Sequence, residues 1–355
     1  AIMGLSIALY GIVVGYLQGT SRPLLAEALS AGAQIAFLVL LLLLSPRSGS
    51  ATLWWRVALE AVVAITALSL VFHRRLPDRV GPPPPLRPIA LPLWTGVIAW
   101  TILHQADVLT LGVASGRGAV AVYAPILKLA ELAAVPAGLL GPYVLPTVAA
   151  LHRVRDLDGI REVFAAASKA CFVASLPVVS LLLLAPAGMG HLLFGIDEPT
   201  VPTIARWLAV GFALNAAFGL NGIVLDGIGR PRLLMFRSLG VGALGLLAYL
   251  ALVPAFGAVG AAAGTCGALL AANLSNSFGL RRSGLPPLPD GMLPIVVCAA
   301  ALLVIVGAAG VAHRGPADAV AAALLVTLAT GILAWSTTAA ATRRAMLRGL
   351  LLRRG

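Results

Sequence analysis

The chain has 355 residues, 60% hydrophobic and 11% charged, with a formal net charge of +12 and a mean hydropathy of +0.99. A soluble domain carries about 25% charge, so this composition excludes a globular enzyme on one anchor and predicts an all-α polytopic membrane protein. Nucleic acid is excluded as the partner of the positive charge, because the basic residues sit in short loops between apolar runs.

About 20 apolar residues cross a bilayer as a helix, and the chain offers about eleven such segments by that measure. The first, Ile2–Leu17, is short and has no charged n-region or cleavage motif before it, which argues against a signal peptide and suggests an N-terminal truncation. Leu24–Leu44 and Val57–Phe72 follow. A linker with four consecutive prolines, GPPPPLRP, comes next, and it favours an extended, semi-rigid segment. Leu91–Leu111 and Ala119–Ala149 are joined by a Gly-rich turn at Ala114–Gly118. The second of these holds Pro136, Pro142 and Pro146, so a kink is expected near its end. HRVRDLDGIRE reads as a basic amphipathic loop helix lying along headgroups. The remaining spans are Phe164–Leu184, Thr203–Leu225, Leu233–Val253, Val259–Phe278, Met292–Ala312 and Ala317–Ala340. This order gives four regions: 1–72, a linker at 73–90, six spans at 91–280, and a pair with a basic tail at 281–355.

Most of the 25 basic residues fall on alternate loops, including Arg22, Arg74, Arg75, Arg79, Arg153, Arg155, Arg230, Arg232, Arg281, Arg282, Arg343 and Arg344. The positive-inside rule places these loops and the C-terminus in the cytoplasm. Cys171, Cys266 and Cys298 all lie in apolar runs, so neither a disulfide framework nor a metal site is expected. No nucleophile elbow, phosphate loop or metal-ligand spacing occurs, and no catalytic residue is assigned.

The informative residues are the polar ones inside apolar runs. An ionisable side chain in lipid costs roughly 2.5–3.5 kcal/mol on insertion scales and normally faces a bundle interior or a wet cavity. Lys128 and Glu131 are three apart and share a helix face. They form either a self-neutralising pair or a polar lining for an anionic headgroup or coupling ion. Asp107 is either an interfacial residue or a cation or proton site, and Glu60 reads as interfacial. His104 and Gln105 suit interhelical hydrogen bonds. Asn215 either lines a cavity or bonds a neighbouring helix. Gly260, Gly264, Gly267 and Ala271 recur on one face and read as close helix packing. Trp54 and Trp55 read as an interfacial anchor.

Several segments in order resemble a known family. DVLTLGVASGRGAVAVYAPILKLAELAAVPAGLLGPYVLPTVAALHRVRD resembles the seventh and eighth spans of polysaccharide transporters of the multidrug/oligosaccharidyl-lipid/polysaccharide exporter superfamily. LDGIGRPRLLMFRSLG resembles the family's turn between the tenth and eleventh spans, and LVPAFGAVGAAAGT its entry into the twelfth. YGIVVGYLQGTSRPLLAEALS resembles the connection of the fourth and fifth. The resemblance implies a MATE-like bundle of two helical lobes around a central cavity, with alternating access and no catalytic chemistry. It further implies a flippase for lipid-linked oligosaccharide or polysaccharide precursors in a bacterial cytoplasmic membrane, with polysaccharide polymerase or glycosyltransferase partners. No cofactor is expected beyond a coupling ion, Na+ or H+. The expected cavity residues are Lys128, which would meet phosphate, with Arg22 near the cytoplasmic mouth, Asp107 and Glu131 for coupling or gating, and Gln105 and Asn215. A cation-coupled drug antiporter and a lipid-linked peptidoglycan precursor flippase share the fold. A membrane-embedded glycosyltransferase or ligase is the alternative of another class, and the short outer loops count against it.

Overall fold

A computed structural model describes residues 62, 65, 87–229, 231–310 and 315–337. The two spans Ile2–Leu17 and Leu24–Leu44, most of the third, and Arg22, Trp54, Trp55 and Glu60 lie outside the described residues, as does the basic tail. The chain divides into two compact units, Ala1–Pro84 and Pro85–Gly355, with the boundary inside the proline run. The four regions read from the sequence therefore meet a coarser division, in which the pair at 281–355 shares a unit with the six spans before it.

The described part of the second unit is helical, with no strand among the described residues. Its elements are α1 (Arg87–Glu131), a 3-10 turn (Leu132–Ala134), α2 (Val135–Arg153), α3 (Leu157–Leu184) and α4 (Pro186–Phe194). They continue as α5 (Val201–Phe218), α6 (Asn221–Gly227), α7 (Pro231–Arg282), α8 (Met292–Ala308) and α9 (Pro316–Thr337). Five stretches are long and apolar enough to cross a membrane: Gln105–Arg153, Leu157–Leu184, Val201–Gly227, Phe236–Arg282 and Ala317–Thr337. Met292–Ala308 is a shorter apolar helix. The chain is a helical membrane protein.

Two of these stretches are folded back on themselves. In α1 the backbone leaves the helix at Gly116 (φ 79°, ψ 179°), inside the turn expected from the sequence. In α7 it does so at Gly257 (φ 57°, ψ −131°). A straight helix separates residues 16 apart by about 24 Å. Yet Asp107 bonds Tyr123, and Tyr249 bonds Thr265, each across a turn. Each stretch is therefore a hairpin of antiparallel arms. The small residues allow the close approach. A Cβ on Gly260 would collide with the Leu252 carbonyl, and one on Gly264 would stand 2.6 Å from the Tyr249 ring. Gly267, on the same expected face, meets nothing within 4 Å. The two tips adjoin, since a Cβ on Gly257 would lie 3.8 Å from the Ser115 hydroxyl.

The hairpins pack against each other and against α5 through an apolar core of Leu111, Tyr123, Ile126, Ile204, Leu208, Val253 and Ala261. Away from the tips, Val148, Ile160, Phe164, Val224 and Leu280 make a second core. A third, with Phe172, Leu176, Met292, Ile295 and Ala334, holds α8 and α9 against α3. The Ser283–Gly291 connection is strapped along α3. Arg161 donates to the Gly284 carbonyl at 3.0 Å, and the buried Lys169 ammonium lies where a Cβ on Gly291 would stand 3.1 Å away.

Three sequence expectations change. HRVRDLDGIRE is not a separate loop helix. Asp156 caps the N-terminus of α3 by accepting from the Gly159 amide at 2.8 Å, and the helix runs on from Leu157 with Ile160, Val163 and Phe164 buried. The cap and the apolar i, i+3, i+4 pattern make this basic segment the first turns of the span. The kink expected near the end of the second span sits earlier, at the 3-10 turn before Pro136, and α2 continues through Pro142 and Pro146. The expected span Thr203–Leu225 is broken between α5 and α6.

Candidate functional site

Polar side chains gather at three places in these apolar helices. The first ties the hairpins together. Asp107 and Tyr123 lie on the two arms of α1, and Tyr249 and Thr265 on the two arms of α7. Each is about eight residues from its tip, so at ~1.5 Å per residue all four stand about 12 Å below it. All four are buried. The Tyr123 hydroxyl donates to Asp107 Oδ2 at 2.7 Å. Thr265 Oγ1 lies 3.0 Å from the Tyr123 hydroxyl, 3.2 Å from that of Tyr249 and 3.3 Å from Asp107 Oδ2. Asp107 Oδ1 accepts the Val108 amide at 2.7 Å, and Thr265 is also 3.1 Å from the Ala261 carbonyl. Each hydroxyl has one hydrogen. The distances are satisfied by a donor chain in which Tyr249 gives to Thr265, Thr265 gives onward, and Tyr123 gives to the carboxylate. Asp107 is buried in the bundle, where its carboxylate ties the two hairpins together.

The second place is the break between α5 and α6. Gly219 has φ 69° and ψ −144°, a conformation that favours glycine. It also has no room for a side chain, since a Cβ would collide with Ser168 on α3. The Ser168 hydroxyl accepts the Leu220 amide at 3.2 Å and so serves one of the backbone groups freed by the break. Amide side chains surround it. Asn273 donates to Asn215 Oδ1 at 2.8 Å and Asn221 donates to the Asn273 carbonyl at 3.1 Å. Asn276 and Ser277 approach Asn221 at 3.4 Å. Asn215 thus bonds a neighbouring helix, one of the two readings open to it.

The third place is open. Lys128 Nζ contacts both Glu131 oxygens, at 3.0 and 2.8 Å, and their side chains are 64% and 30% exposed. The pair shares its face with Leu132, Val135 and Leu139, all exposed.

Of the residues expected to line a cavity, Lys128 and Glu131 meet each other, while Asp107 and Asn215 join separate clusters. Gln105 is exposed and makes none of these bonds. Arg22 lies outside the described residues, as does the side chain of His104. Sequence reasoning missed Tyr123, Tyr249, Thr265, Asn221 and Asn273. A signal existed for two of them, since Tyr123 and Thr265 both lie in segments that carry the family resemblance. Among the described residues no three His, Cys, Asp or Glu side chains converge as a metal site. No family model matches this chain, and neither does any curated protein or solved structure.

Proposed function

We propose that the protein is a flippase that moves lipid-linked oligosaccharide or polysaccharide precursors across a bacterial cytoplasmic membrane by alternating access. The basic loops and the C-terminus would then face the cytoplasm. The observation that carries this reading is the Lys128–Glu131 pair. It is a charged pair on an otherwise apolar arm, on a face left open by the described helices. Facing lipid, such a pair is costly, whereas a water-filled path relieves the cost and gives it a use. Lys128 would attract the diphosphate of the cargo, and Glu131 would hold the ammonium in place when the path is empty. The broken helix beside Asn215 and Asn221 is a second support, because interrupted helices in transporters accompany midplane binding sites. The buried carboxylate of Asp107 favours one further reading, a cation-coupled antiporter for drugs, since such a group is a natural station for Na+ or H+.

Deletion of the gene, followed by identification of the lipid-linked intermediates on the cytoplasmic leaflet, tests the proposal. Accumulation of a diphosphate-linked oligosaccharide is the expected result and names the cargo. Unchanged intermediates, with altered sensitivity to cationic drugs, replace the flippase by the antiporter.

A further inference from the structure

The open end of the second hairpin carries two arginines that have no acidic partner among the described residues. Arg237 lies about 20 residues before the Gly257 tip, and Gly279 and Arg282 lie about 22 and 25 residues after it. At ~1.5 Å per residue these positions are about 30–37 Å from the tip, roughly one hydrocarbon thickness. With the tip at one interface, this end stands among the headgroups of the other.

The Arg237 guanidinium fills the notch left by Gly279, where any Cβ would collide with it. Its Nη1 is buried and has no hydrogen-bond partner. Arg282 stacks its guanidinium 4.4 Å from the centroid of the Phe278 ring and is the charged neighbour acting on Arg237. None of the ion pairs among the described residues includes either arginine. Two adjacent guanidinium groups repel, and a buried donor without an acceptor is costly. An acceptor shared by the two groups offsets the repulsion between them. Phosphate fits, because its oxygens match the planar fork of arginine. Beside the pair, Leu274 and Phe278 are exposed one turn apart on the second arm and offer an apolar track towards the tip.

We propose that Arg237 and Arg282 hold the phosphate of an anionic membrane phospholipid, with an acyl chain along Phe278 and Leu274. The same chemistry would accept a soluble phosphate ester, and the experiment separates the two. This site is independent of the cargo and of the flippase reading. The purified chain in detergent is stripped of lipid, then given phosphatidylglycerol, phosphatidylcholine or inorganic phosphate in separate arms. Binding is read by native mass spectrometry and by thermal unfolding. Preferential binding and stabilisation by phosphatidylglycerol are expected, with at least a tenfold weakening in Arg237→Gln and none in Arg281→Gln, a change at an exposed neighbour. If Arg237→Gln does not fold, Gly279→Ala expels the guanidinium from its notch and is expected to give the same loss. Equal stabilisation by phosphate, dependent on Arg237, supports the site and assigns it to a soluble ester. Phosphatidylglycerol binding that is no tighter than phosphatidylcholine, or that survives both variants, overturns the proposal.

Discussion

Asp107 and the Lys128–Glu131 pair belong to the same hairpin, yet the protein accommodates their charge in opposite ways. Asp107 is withdrawn into the bundle and met by hydroxyls from two other arms, those of Tyr123 and Thr265. Lys128 and Glu131 remain on the open face and, among the described residues, pair with each other. The carboxylate thus links elements far apart in sequence, so its removal affects tertiary structure. The pair is local, at i and i+3, and none of the interhelical hydrogen bonds described above runs through it. A charge that holds a fold together and a charge that is available to a ligand are therefore separable in this molecule by what each one touches.

Four substitutions break or sharpen that contrast, and reversible unfolding in mixed detergent micelles measures the first three. Gly264→Leu places a side chain where the Tyr249 ring lies. It is expected to part the arms of the second hairpin and destabilise by about 3 kcal/mol or more, the upper range for overpacking. Asp107→Ala leaves the Tyr123 and Thr265 hydroxyls without their common acceptor, with an expected cost of about 2–3 kcal/mol. A loss below about 0.5 kcal/mol would show that the carboxylate does not anchor the hairpins. Tyr249→Phe removes only the outermost donor of the chain. Interhelical hydrogen bonds in membranes average about 0.6 kcal/mol, so a similar small loss is expected. Lys128→Gln is expected to change stability by less than about 0.5 kcal/mol, because exposed i, i+3 pairs contribute little. It is nevertheless expected to abolish flipping of the lipid-linked precursor in reconstituted vesicles. Full flipping with the glutamine in place removes Lys128 from the cargo path.

The apolar helical character of the described part was legible in the sequence because apolar length is a direct consequence of the bilayer solvent. The first hairpin turn was legible as the Gly-rich interruption at Ala114–Gly118, and the second falls in the gap between the expected spans Leu233–Val253 and Val259–Phe278. The Lys128–Glu131 contact follows from helical spacing alone. What could not be read was everything that depends on which arms are neighbours. Asp107 and Thr265 are 158 positions apart, and no local pattern marks them as partners. The break at Gly219 was hidden for a similar reason. A glycine inside an apolar run usually signals close packing, and only the nearness of Ser168, 52 residues before Leu220, explains why the helix stops there. The start of α3 was misread because a basic, amphipathic segment resembles a surface helix until its apolar face is seen to be covered by Val224 and Leu280.

One consequence of α8 extends beyond the protein itself. Its 17 residues reach only about 25 Å along the helix axis, short of a hydrocarbon core of about 30 Å. Leu293, Val297, Val304 and Ile305 form its outer face and are exposed. Were this helix to cross the bilayer, a mismatch of several ångströms would fall to thinned lipid, snorkelling flanks or a neighbouring helix, at fractions of a kcal/mol per Å.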